Sequence, residues 1–381
     1  MAVAMLVAGS TAALADASAP QASANQPTAA AFLAQAQAEA DAGHNETAKT
    51  ILLQATSAYP SDVALQKLLG DVQYRLENYS DAAAAYQFVL ARDPNNRDVH
   101  NRLGGVYAAL DRFNDAVTEF RRSLPLPEGF DNLIQIYQDE GRLGELEEES
   151  VQARDHDPNE PSTHFNLGKI YYYEKKYPAA EFEFNNALEI NQNYVDARNG
   201  LGMVYGDLGR YNDAIAQYKL VINQSPKYYL AYMNWGVELI KQANYTQAIQ
   251  KLNEAIKLEP TYGPSYDNLG VAYDYLGQFT QAVELYERAL ELNPREREAY
   301  QNLGSLYNAH NLINLAEAAF IKGLAVAPHS ADLHYNLGVV YQEQRKFTLA
   351  EEQYRAALQS EPTHTEAKAQ LAQLEAQLGH Q

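Results

Sequence analysis

From residue 29 to residue 364 the sequence realigns with itself every 34 residues. The copies are 29–62, 63–96, 127–160, 161–194, 195–228, 229–262, 263–296, 297–330 and 331–364, with 97–126 as a shortened one, giving ten units. A period of this length rules out reading the 381 residues as two or three ordinary domains, because each unit must bury its apolar face against its neighbours. Within the unit the eighth position is small (Gly70, Gly104, Gly168, Gly202, Gly236, Gly270, Gly304, Gly338). The twentieth is Ala in nine of ten (Ala48, Ala82, Ala116, Ala180, Ala214, Ala248, Ala282, Ala316, Ala350). Small residues at two fixed places let two helix backbones approach where they cross. Positions four, seven, eight and eleven recur at i, i+3, i+4, i+7 and so share one helix face, with Tyr at the eleventh (Tyr107, Tyr137, Tyr171, Tyr205, Tyr273, Tyr307, Tyr341).

Gly43, Gly141, Gly209, Gly277 or Asn311 stands between the two helices of its unit, a residue type that tolerates a left-handed helix end. Pro at the thirty-second position, such as Pro226, Pro260 and Pro294, stops the second helix. Each unit is therefore a helical hairpin. This pattern resembles the tetratricopeptide repeat family across residues 29–364. The resemblance implies an all-α superhelix, a solenoid of about ten hairpins, in which first helices line a concave groove and second helices face outward. Residues 365–381 carry Leu371, Leu374 and Leu378 on one stripe and suit a C-terminal capping helix.

Two neighbouring irregularities interrupt the array. SLPLPEGF (123–130) puts Pro125 and Pro127 where the third unit's second helix should still be running, so that helix is expected to stop about one turn early. In the fourth unit Ile134, Leu146 and Ser150 replace the usual small, small and aromatic residues, either as compensating volumes or as a bend that shapes a docking site.

Six units carry Asn at the sixth position: Asn132, Asn166, Asn234, Asn268, Asn302 and Asn336. Asn is a mediocre interior helix residue, so the row needs a reason. The position falls beside the buried stripe and is expected to face the groove. Two readings stand: the amides, each donor and acceptor, hold the backbone of an extended peptide, or they only tie one helix to the next. The row resembles that of the superhelical repeat region of O-linked N-acetylglucosamine transferase, without its catalytic part. Phe165, Tyr172, Met203, Met233 and Val237, near the middle of the same stripe, are the candidate anchors, the alternative being burial against the next hairpin. Eleven acids on the stripe (Asp98, Glu128, Asp131, Asp139, Asp196, Asp207, Asp267, Asp274, Glu298, Asp332, Glu343) face three cations (Arg102, Lys169, Lys241), so the groove is expected to be acidic.

A formal charge of −20 argues against nucleic acid or an anionic membrane surface and favours a basic or neutral protein or peptide partner. No cysteine, no phosphate-binding glycine motif and no clustered His ligands occur, so no catalytic residues, no metal and no cofactor are expected. Lys67, Asp71 and Arg102 come nearest to a carboxylate clamp for chaperone tails, but Asp71 would repel the terminal carboxylate. Residues 1–15 read as a signal peptide ending in Ala13-Leu14-Ala15, without a positive n-region, and 16–28 as a flexible linker. The expectation is a non-enzymatic scaffold binding an extended segment in an Asn-lined groove. The alternative is an exported, periplasmic envelope assembly or secretion component docking on a membrane or polysaccharide machine.

Overall fold

The computed structural model describes residues 27–379. The segment read as a signal peptide, and the linker up to residue 26, lie outside the described residues. Thr28 already belongs to the array: it caps the first helix, its hydroxyl accepting from the Ala31 N–H at 3.2 Å.

Twenty-one helices and no strand make up the described residues. Units one to three contribute α1 (Ala29–Asp41), α2 (Asn45–Ala58), α3 (Val63–Arg75), α4 (Tyr79–Leu90), α5 (Arg97–Ala109) and α6 (Phe113–Ser123). Units four to six contribute α7 (Pro127–Asp139), α8 (Leu143–His156), α9 (Pro161–Tyr173), α10 (Tyr177–Ile190), α11 (Val195–Asp207) and α12 (Tyr211–Gln224). Units seven to ten contribute α13 (Tyr229–Lys241), α14 (Tyr245–Leu258), α15 (Gly263–Tyr275), α16 (Phe279–Leu292), α17 (Arg297–Ala309), α18 (Ile313–Val326), α19 (Ala331–Glu343) and α20 (Phe347–Ser360), after which α21 (Thr365–Leu378) ends the array. The even-numbered α6 has 11 residues where its counterpart α12 has 14, stopping at Ser123 before the cis Leu124–Pro125 bond.

The eighth-position glycines are explained by what lies over them. A Cβ on Gly70 would come within 2.5 Å of the Tyr86 ring, and one on Gly304 within 2.5 Å of the Phe320 ring. Those rings are the aromatics of the second helix, fully or almost fully buried, so the missing side chain on one helix is the seat of the large one on the other. The fourth unit inverts the pair: Ile134 fills the seat and Ser150 replaces the ring, both buried, as compensating volumes require. The left-handed turn residue is Gly or Asn in five units, with φ of 59–80°. In the other five the same conformation is held by Glu77, Asp111, Lys175, Ala243 and Arg345, which the sequence pattern does not announce.

Each first helix packs on its own second helix and on the first helix of the next unit, while the second helices bridge to the following first helix. Odd-numbered helices therefore form the shorter, inner wall. The cap lies on a seam of Ala367, Leu371 and Leu374, with Leu378 left exposed at its end. One turn of the coil closes on itself: the Tyr74 hydroxyl of unit two reaches Asn293 Oδ1 of unit eight at 3.3 Å, and Glu291 packs against Gly43 of unit one.

Candidate functional site

The inner wall shows which partner each sixth-position amide takes. Asn132 Nδ2 donates to Asn101 Oδ1 (2.9 Å), Asn234 Nδ2 to Asn199 Oδ1 (3.2 Å), and Asn302 Nδ2 to both oxygens of Asp267 (3.0 and 3.1 Å). Each acceptor is the fifth-position side chain of the preceding unit, although an oxygen there is not sufficient, since Asp131 before Asn166 and Gln301 before Asn336 form no rung. Before Asn268 the fifth position is Met233, which offers none, and the amide turns back to the Pro264 carbonyl of its own helix (2.8 Å). Asn166 and Asn336, half-buried, make no side-chain hydrogen bond among the described residues. Three of the six amides thus tie neighbouring helices, and three are not engaged across units.

The apolar candidates divide in a similar way. Phe165 is 6% exposed, its ring packed on Phe184 (5.9 Å) and Tyr194 (5.4 Å), so it supports the wall from behind. Met203, Met233, Val237 and Tyr172 are half-buried on the wall, and the Tyr172 hydroxyl donates to Asp207 Oδ2 at 2.7 Å.

Several groove acids are satisfied by neutral donors. Tyr228 donates to Asp196 (2.6 Å), Tyr173 to Asp131 (3.3 Å) and Gln135 to Asp139 (2.8 Å). Tyr229 of unit seven reaches across the hollow to Glu128 of unit four (2.8 Å). A neutral donor fills a lone pair without cancelling the charge, so the wall stays negative. The three groove cations are held by acids: Arg102 by Asp71 and Asp98, Lys169 by Asp131, Lys241 by Asp207 and Glu238. Lys67 is bound to Asp98, which also removes it from any clamp. Burial pushes the Asp196 carboxyl above its ordinary value, with the Glu128 and Asp131 charges adding to the shift. Burial likewise lifts Asp267 to about 7 against the opposing bonds from Asn302.

One set of wall residues escaped the sequence reading. The N-cap position holds Asp62, Asn96 or Ser330 in units that bond their first turn, but Tyr194, Tyr228 and Tyr262 in three consecutive units, none with a side-chain cap bond. A missing cap costs about 1 kcal/mol per helix. In its place Tyr228 holds Asp196, and Tyr262 packs edge-on against Tyr229 at 5.1 Å. Three tyrosines in a row at a capping position were the available signal. The position-four His164 lies between Glu183 (2.6 Å) and the Pro158 carbonyl (3.0 Å), pinning first helix, second helix and preceding loop together.

Paired helices, a glycine seat under each second-helix aromatic and a continuous inner wall define a helical-repeat solenoid. The chain belongs to the tetratricopeptide repeat family: models described as tetratricopeptide repeat match residues 33–87, 68–129, 161–194, 195–228, 268–296 and 331–364. No curated protein matches the sequence. Among solved structures, the APC/C hetero-tetramer Cut9–Hcn1 is similar in fold at 16% identity and a TM-score of 0.51, over 91% of this chain and 90% of that one. A tetratricopeptide repeat protein from Parabacteroides merdae (19% identity, TM-score 0.49) aligns over 64% of this chain and 98% of its own. YrrB, described as a TPR protein with an unusual peptide-binding site (23%, TM-score 0.35), aligns over 49% of this chain and 96% of its own. Proteins of this family generally bind protein or peptide partners as non-catalytic scaffolds. No described helix is long and apolar enough to cross a membrane.

Proposed function

We propose that the chain is a non-enzymatic scaffold that holds an extended, basic or neutral protein segment along the inner wall of its superhelix. The observation that carries this reading is the charge of that wall: Glu128, Asp139 and Asp196 are answered by neutral hydroxyl and amide donors and not by cations, so a cationic segment gains electrostatically where it passes them. Asn166, Asn268 and Asn336, not engaged across units, supply donors and acceptors for the bound backbone, while Asn132, Asn234 and Asn302 set the spacing of the helices that carry them. Tyr172, Met203, Met233 and Val237 give the segment an apolar footing at mid-groove.

The test separates the two groups of amides. Binding of a fluorescein-labelled, acetylated Lys- and Ala-rich dodecapeptide is measured by anisotropy. The triple variant N166A/N268A/N336A should lose about tenfold in affinity at an unchanged melting temperature, on the scale of one or two lost hydrogen bonds. N132A/N234A/N302A should melt earlier. Equal affinity of the first variant and the wild type would remove the amides from the binding role, and absence of peptide binding by the wild type would remove the groove.

A further inference from the structure

The tenth position of the unit is apolar in the fold's core, as in Val72, Val106, Ile136, Ile170, Val204, Ala272, Leu306 and Val340. Unit seven puts Glu238 there. Its residue is only 3% exposed, and the room for it comes from Gly206 on the preceding first helix, where a Cβ would lie 2.2 Å from Glu238 Oε1. Lys241 Nζ donates to Glu238 Oε1 (3.1 Å) and to Asp207 Oδ1 (2.9 Å), and Asp207 also accepts from the Tyr172 hydroxyl. The inner side of this cluster is unfinished. Glu238 Oε2 has no hydrogen-bond partner, and neither has the hydroxyl of Tyr218, a residue with no exposed surface. Tyr218 lies over Gly202, where a Cβ would come within 2.5 Å of its ring, and Glu238 lies over Gly206 one turn further along α11, so the two orphaned groups share one face of that helix.

A lone buried carboxylate in an apolar column is costly, and one oxygen left unpaired adds to the cost. Sites that break the local rule without internal compensation are where function is to be sought. The outer end of the cluster opens on the groove, since Lys241 and Asp207 keep 33% and 28% of their side chains exposed.

From this juxtaposition we infer that Asp207, Glu238 and Tyr218 form a subsite for a primary ammonium group of the bound segment, and that Lys241 occupies it when no segment is present. The inference rests on the groove reading above and names a chemistry within it. Lys241 is the stand-in that shows what the site accepts: a compact ammonium with three donors, two of them already placed on Asp207 and Glu238. A guest ammonium that takes this place while Lys241 turns to solvent has a third donor for Glu238 Oε2. Tyr218, over the adjacent turn of α11, contributes the other unpartnered oxygen. A guanidinium fork is a poorer match, because its donors are spread in a plane and Glu238 presents a single open oxygen.

Three labelled peptides of one sequence test this. The first is acetylated with a single internal Lys, the second carries Nε-acetyl-lysine at that place, and the third has no Lys but a free amino terminus. The full chain, Lys241→Met, Glu238→Gln and Lys241→Met/Glu238→Gln are compared by anisotropy, with far-UV circular dichroism confirming the fold. Lys241→Met should bind the first peptide about tenfold tighter than wild type and the second no tighter, because the competing internal ammonium is gone while the acids remain. Adding Glu238→Gln should erase the gain. A gain on the third peptide in place of the first assigns the site to a chain terminus instead of a side chain. An unchanged ratio between the first two peptides in Lys241→Met overturns the subsite, leaving the orphaned oxygens to an internal water. If Lys241→Met changes nothing while N166A/N268A/N336A loses affinity, the subsite falls and the groove stands. If no protein binds any peptide, both fall. Should Glu238→Gln fail to fold, the first two peptides on Lys241→Met still decide.

Discussion

Units two and three and units six and seven each place a tyrosine of the second helix beside a carboxylate of a first helix, with opposite results. In the former, Tyr86 donates to Asp71 Oδ1 at 2.7 Å, Asp71 also accepts from Arg102, and Arg102 and Lys67 share Asp98. Every member has a partner. In the latter, Tyr218 and Glu238 are at least as deeply buried, yet each retains an unpaired oxygen. The comparison teaches that burial of polar groups does not identify a site, because a completed network belongs to the fold and an incomplete one does not. Their responses to substitution should therefore differ in sign.

The largest effect is expected at the completed network. Asp71→Leu removes the shared acceptor, leaving Tyr86 without a partner and Arg102 with one carboxylate fewer. We expect a loss of about 2–4 kcal/mol in chemical denaturation, below the full cost of breaking a buried pair because Arg102 is one-third exposed. A loss under about 0.5 kcal/mol, the scale of a surface substitution, would break the comparison from this side.

At the incomplete network the sign reverses. Glu238→Val restores the residue type of the column and should stabilise by about 1–3 kcal/mol at pH 8. Burial, only partly opposed by Lys241, raises the Glu238 carboxyl above its ordinary value. The unfolded chain then ionises first as pH rises, so wild-type stability is greatest below the ordinary glutamate value and declines through the raised one. The advantage of the Val variant should shrink on acidification from pH 8 to pH 4. A constant advantage across that range would show that the charge is not what makes wild type the weaker fold.

The rung at Asp267 sharpens the same contrast with a single atom change. Asp267, 6% exposed, is pushed up to about 7 by burial, whereas the corresponding rungs are amide pairs, Asn132 with Asn101 and Asn234 with Asn199. Asp267→Asn keeps an acceptor for Asn302 and removes the charge. It should gain about 1–2 kcal/mol at pH 8 and little at pH 4, because the folded wild type loses stability as pH rises from about 4 through about 7. Thermal melts at the two pH values report the difference. An Asn variant that is less stable at pH 8 would mean that the ionised rung is the favourable one.

Much of this was legible in the sequence once it was folded at its period. The glycine seats, the alanine seam and the hairpins follow from columns of the repeat. The Asn row alone leaves two readings, because its own column does not contain its partners. Its partners sit in the fifth-position column, where Asn101, Asn199 and Asp267 accept, Met233 offers no oxygen, and Asp131 and Gln301 form no rung. Glu238 was equally visible as an acid in an apolar column, and the missing caps at Tyr194, Tyr228 and Tyr262 as three aromatic residues in a row at a polar position. What no column contains is the closure of the coil. Contacts such as Tyr74 with Asn293 and Tyr229 with Glu128 depend on small rotations summed over several units, and a slight change per unit would separate them.

The smallest effect is a control on the comparison itself. The turns of units six and seven have the same left-handed conformation, but unit six uses Gly209 (φ 74°) and unit seven Ala243 (φ 56°). Part of any weakness in unit seven could then come from its backbone instead of Glu238. Ala243→Gly relieves the left-handed strain at the expense of extra freedom in the unfolded chain, for a net gain of about 0.5–1 kcal/mol. Because it touches neither carboxylate, that gain should be the same at pH 4 and pH 8 and should add to the gain from Glu238→Val. Additivity would place the two costs of unit seven in separate structures, while a shortfall of more than about 0.5 kcal/mol would show that turn and carboxylate are one strained element.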